Sequence, residues 1–237
     1  MVSLASRMSL ALVLAVAPNQ AGPITEARDR AAEFDLNGAI ERLKTAADGG
    51  DTNAQVAMVY VRGLSDAREA ARQGGSPESL APVTQAIAWL GIVSNGRPGP
   101  AEIARLTLQG AAAAAQSERD EMRLYLESAV RMETVQRAAG MPGAPLVSAA
   151  ETAGDLWLQV HHYDEARHAY EDAADRFGAS LRTHAGRARA ARSVNDTAAA
   201  CRAFRALLDA WGARHGQPAE IVEARAYVAG SCEASAR

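Results

Sequence analysis

Two copies of one pattern stand 34 residues apart in this chain. The stretches "HHYDEARHAYEDA" and "VNDTAAACRAFRAL" set Tyr163 against Thr197, Ala166 against Ala200, Tyr170 against Phe204 and Ala173 against Leu207. A small residue followed four positions later by an aromatic one puts both on the same face of a helix. A period of this length accommodates a helix, a turn and a second helix running back, and such units bury their apolar faces only by stacking on one another. Composition agrees where it bears on the question. Aromatic residues are 5% of the chain, β-branched runs are nearly absent and alanine is abundant, so sheets have little to be made from. The expected class is all-α, an α-α superhelix of antiparallel helix pairs.

Upstream, amphipathic segments alternate with breakers. In "RAAEFDLNGAIERLKTAADGGD" Ala32, Leu36, Ala39, Ile40, Leu43 and Ala47 keep helical spacing up to Gly49 and Gly50. Asp51 and Thr52 can cap the next helix, which is expected to close at Gly63. "RQGGSPESLAP" reads as a loop before "VTQAIAWLGIV", and "NGRPGP" is the strongest breaker. Two further helices are expected, at about residues 101–115 and 118–139, before "GMPGAP", the best candidate for a flexible joint. The reading divides the chain into an N-terminal helical array at 24–139, two repeats at 146–214 and a capping helix at 217–232.

The regular part resembles the tetratricopeptide repeat. Gly154 stands at that family's small position in the first helix, and Ala166 and Tyr170 stand at its small and aromatic positions in the second. Packing explains these choices, since a large side chain at Gly154 or Ala166 would hold the paired helices apart, and Tyr170 would fill the groove against the next repeat. The sequence departs from the family at Ala150, Ala153, Gly178 and Ala188. "AADGGDTNAQVAMVYVRG" and "QAIAWL" are similar to the related Sel1-like repeat. The resemblance implies a scaffold that binds a protein or peptide on its concave face. There it places Glu151 and Asp155 on one repeat and Arg182, Arg189 and Arg192 on the next. Residues 176–214 hold eight arginines against two acids, while residues 116–175 hold twelve acids and five arginines. The two blocks can neutralise each other, with Asp155 and Arg189 as partners, or the arginines can form a groove that captures an acidic peptide. The lysine and asparagine clamp of the chaperone-binding branch is not matched, because Glu151 and Asp155 occupy those places.

Other chemistry has little support. His162, Glu165 and His168 are three apart and, with His161, suggest a metal site, but Glu-x-x-His pairs of di-iron bundles come in two copies and this one does not. The same residues read as a polar turn with carboxylates favouring a helix start. HExxH, zinc-spaced Cys/His clusters, GxSxG and phosphate-binding glycine loops are missing from the sequence. Neither a cofactor nor catalysis is expected on the scaffold reading. The alternative is an enzyme or metal-dependent module in which the loop from Gln73 to Pro82 and the turn at His161 build a site between helices, near His161, His162, Glu165 and His168. A formal net charge of −3 gives no pull toward nucleic acid. Arg7, the apolar run "MSLALVLAVA" and "PNQAG" have the order of a secretory signal peptide, with cleavage expected after Ala21 and a periplasmic or secreted mature protein. No later run is long enough to span a membrane. Cys201 and Cys232 are the two cysteines, and a capping helix "PAEIVEARAYVAGSC" that returns antiparallel would bring them together as a disulfide. Self-association is the remaining expectation, since helical arrays can bury their open ends against copies of themselves.

Overall fold

The computed structural model describes residues 22–232, so the expected signal peptide lies outside the described residues. Among the described residues there are eleven α-helices and no strand: α1 (Pro23–Ala32), α2 (Leu36–Asp48), α3 (Thr52–Arg72), α4 (Pro77–Ser94), α5 (Pro100–Ala115), α6 (Arg119–Ala138), α7 (Ala149–Gln159), α8 (Tyr163–Phe177), α9 (Leu181–Ser193), α10 (Thr197–Trp211) and α11 (Ala219–Tyr227). A π-helical turn at Val228–Cys232 follows α11. Consecutive helices pack against one another along the chain, and α3, α5, α7 and α9 also touch in series. The even-numbered helices make no comparable contacts among themselves. The odd helices therefore lie on the inside of the curve, and the fold is an all-α superhelix.

Local chemistry explains the boundaries. Asp51 caps α3 by accepting hydrogen bonds from the amides of Asn53 and Ala54, Ser76 caps α4 and Asp196 caps α10. Three segments differ from the sequence reading. α1 and α2 are separate because Phe34 takes a left-handed conformation, with φ of 66°, that lifts its ring out of the helix path. Gly63 does not end α3. A Cβ there would stand 2.6 Å from Leu108 Cδ1, so this glycine is the point at which α3 and α5 approach closely. The expected loop before Val83 is partly helical, because Pro77 opens α4 in the first turn, where its missing N–H costs nothing.

Within 140–145, where a flexible joint was expected, residues 143–145 are buried against the fold and 140–142 are exposed. Glu133, wholly buried on α6, accepts from the amides of Ala144 at 3.1 Å and Ala149 at 2.6 Å and is paired with Arg137 at 2.8 Å. Arg28 of α1 donates to the carbonyl of Pro145 from the other side. One apolar cluster runs from Ala67 on α3 through Leu126 on α6 to Tyr170 on α8 and Ala190 on α9. The helices of 24–139 and those of 146–214 consequently share a core.

The two ends of the curve also meet. Phe34 packs against the apolar cluster of α9, α10 and α11, and Glu33 pairs with Arg214 at 3.1 Å. Cys201 on α10 and Cys232 are joined in a disulfide, as the antiparallel return of the capping helix requires.

Candidate functional site

On the inner side, Ser148 opens α7 by accepting from the Glu151 amide at 3.1 Å and donating to its carboxylate at 3.0 Å. The helix so started carries Glu151 and Asp155, four apart, on one face. Asp155 is the hub. Arg182 of α9 donates to its Oδ2 at 2.7 Å, Arg68 of α3 to the same oxygen at 3.3 Å and the Tyr170 hydroxyl of α8 to Oδ1 at 2.6 Å. Four helices are thus tied by one carboxylate. Glu151 accepts from Ser180, which also caps α9 through the Thr183 amide.

The electrostatics follow from this pairing. Burial alone would depress the Arg182 guanidinium, but the charges of Asp155 and Glu151 outweigh it and hold its pKa above the ordinary value. Burial, reinforced by Asp155, pushes the Tyr170 phenol well above its usual range, so it remains a neutral donor. The ring of Tyr170 lies between Gly154 and Gly186, whose added Cβ atoms would stand 2.6 and 2.1 Å from its Cζ. The three atoms nearest an added Cβ at Gly154 are those of Tyr170, which also lies against Gly186 and so bridges to the next helix pair.

A cavity of about 290 Å³ opens beside this cluster between α2, α3, α7 and α9. Leu36, Ile40, Val61 and Leu64 give it an apolar wall, and Arg62, Arg68, Arg182, Asp66 and Asp155 give it a polar one. Arg62 is exposed and has no ion-pair partner among the described residues.

The other expected arginines lie elsewhere. Arg189 gives Nε and Nη2 to one oxygen of Glu223 on α11, at 2.9 and 2.7 Å, and Arg192 reaches the other oxygen at 2.7 Å. Glu220 stands 3.6 Å from Arg189. The expected pair of Asp155 with Arg189 is replaced by Asp155 with Arg182, because α11 brings its own carboxylates to Arg189. The resemblance pointed to Glu151, Asp155 and Arg182, which lie together here, but not to Arg68, Ser180 and Glu223. Glu220 and Glu223, three apart in a helix that follows a run of arginines, were the signal available for the last.

The histidines lie at the turn between α7 and α8. His161 shares a hydrogen bond with the Tyr163 hydroxyl at 3.0 Å, and His162 lies 3.5 Å from Glu165 and packs against Trp157. Together with His168, Glu165 lines a groove between α6 and α8 floored by Trp157. No group of three His, Cys, Asp or Glu side chains with metal-holding geometry occurs among the described residues.

Removing the α7 cap gives a direct test of the local account. Ser148→Ala is expected to cost about 1 kcal/mol, the usual worth of an N-cap hydroxyl, read as a lower urea midpoint at unchanged slope. An unchanged midpoint would mean that Ser148 does not help hold the Glu151 and Asp155 face.

No protein-family model, curated protein or solved structure matches the chain.

Proposed function

We propose that this chain is a non-catalytic scaffold that binds a protein or peptide on the inner face of its superhelix, in an exported and oxidising setting. The observation that carries the reading is the cavity between α2, α3, α7 and α9. An apolar wall adjoins arginines that neighbouring carboxylates already hold in place, and preorganised sites of mixed lining suit a peptide side chain with a polar flank. The 34-residue repetition and its resemblance to tetratricopeptide repeats support the same conclusion, although fold by itself does not prove function. The disulfide supports the compartment, since such bonds persist outside reducing cytosol.

The bound segment enters with an apolar side chain against Leu36, Ile40, Val61 and Leu64, and an adjacent carboxylate meets Arg62. Arg182 serves as a wall of fixed geometry, since Asp155 already occupies one of its donors. Capture of partners from a cell-envelope fraction by the mature chain tests this. Arg62→Glu should reduce the captured partner at least tenfold with unchanged helicity, because an exposed, unpaired side chain is reversed in charge. Equal capture by the variant would remove the pocket from the reading. Recovery of the chain's own copies alone would indicate self-association instead.

A further inference from the structure

The last helix is bound to its neighbours in the way a ligand would be. α11 has nine residues, of which Ile221 and Ala224 are fully buried. Its approach, residues 212–217, is exposed and contains Gly212 and Gly216, both at positive φ. Its far end is tied to α10 by Cys201–Cys232. Between these points the two Glu223 oxygens are divided between Arg189 and Arg192, and Glu220 approaches Arg189. Without α11, Arg189 and Arg192 on α9 would lose their ion-pair carboxylates beside the apolar surface of α10 that Ile221 and Ala224 now cover.

We propose that Arg189, Arg192 and the adjoining apolar face of α10 form a binding seat for an acidic amphipathic helix, held in cis by α11 while the Cys201–Cys232 disulfide is closed and opened to a partner when it is reduced. The class of ligand is given by the present occupant. It presents two carboxylates three residues apart and an apolar residue between them, as Glu220, Ile221 and Glu223 do. Reduction is by a dithiol. Its two thiols supply two electrons and two protons, the Sγ–Sγ bond of Cys201 and Cys232 breaks to give two thiols, and the dithiol closes to its own disulfide. The tether is then lost, and α11 competes for the seat as an ordinary flexible segment whose effective concentration its loop sets. This seat is separate from the cavity proposed above, and its probe is the chain's own helix, so either can fail while the other stands.

The probe is a fluorescein-labelled peptide of residues 218–230, followed by anisotropy. The oxidised chain should not bind it in the range where a chain carrying Cys201→Ser, Cys232→Ser, Glu220→Gln and Glu223→Gln binds at least tenfold more tightly. Adding Arg189→Gln and Arg192→Gln to that chain should abolish the gain, and a peptide with both glutamates replaced by glutamine should bind at least tenfold more weakly. Equal binding by the oxidised and the opened chains, or binding indifferent to either pair of substitutions, overturns the proposal. Hydrogen exchange on the unsubstituted chain covers the case of a misfolded variant. On reduction, protection in 219–227 should fall at least tenfold while protection in α10 is kept. Unchanged protection of α11 also overturns it.

Discussion

Replacing Gly186 by alanine should destabilise the protein by about 2 kcal/mol, even though the same change in an ordinary helix stabilises it by about 1 kcal/mol. The new Cβ would lie 2.1 to 2.2 Å from Cζ and Cε1 of Tyr170. The ring cannot retreat, because Gly154 lies against it as closely as a glycine allows and its hydroxyl is held by Asp155. Overpacking of a fully enclosed ring belongs at the upper end of the usual 1–3 kcal/mol cost, and the helix-propensity gain offsets part of it. Tyr170→Ala alone should cost about 3–5 kcal/mol, as expected for an aromatic side chain removed from a core. With Tyr170 already alanine, Gly186→Ala should become neutral or stabilising. Urea unfolding of the two single variants and the double variant measures this coupling. A cost at Gly186 that persists without the ring would locate its cause outside the contact.

The second large effect concerns the disulfide. Cys201→Ser with Cys232→Ser should lower stability by roughly 3–4 kcal/mol in the chain-entropy model, because the 31-residue separation no longer restricts the unfolded chain. Both sulfurs are buried, so each serine also places a hydroxyl in an apolar setting. Comparing the unfolding midpoints of the oxidised protein and the double variant measures the loss, and coincident midpoints would show that the cross-link contributes nothing.

The helical class and the later helix pairs were legible in the sequence because alanine and aromatic residues recur at helical spacing with small residues where helices touch. The return of Cys232 to Cys201 was legible for a related reason: a short link after α10 leaves an amphipathic helix little choice but to run back. The extent of α3 was not, since Gly63 has the same appearance whether it stops a helix or admits Leu108. Nor was the packing of 143–145, at the end of the "GMPGAP" stretch. Its prolines and glycines mark a break in helix, but the buried Glu133 that holds it is on another helix, and its partners are backbone amides that carry no residue signature. At the candidate site, charge blocks identified which residues are polar partners but not how they pair. Pairing depends on the curvature that brings Arg68 across to α7 and on α11, packed on α10, reaching the arginines of α9 with Glu220 and Glu223.

The meeting of Glu33 and Phe34 with the α10–α11 end changes how such an array holds together. In an open stack each unit leans on its neighbours, so unfolding can start at either terminus and proceed unit by unit. Here the turn after α1 and the last helices touch across 181 residues of sequence, through the Glu33–Arg214 pair and the Phe34 ring, so neither end of the array is wholly free. Closing that contact requires most of the chain to be in place, which raises contact order, slows folding and ties the loss of one end to the loss of the other. The molecule should therefore resist stepwise unzipping and behave, for a helical array, as a hoop whose seam fastens last.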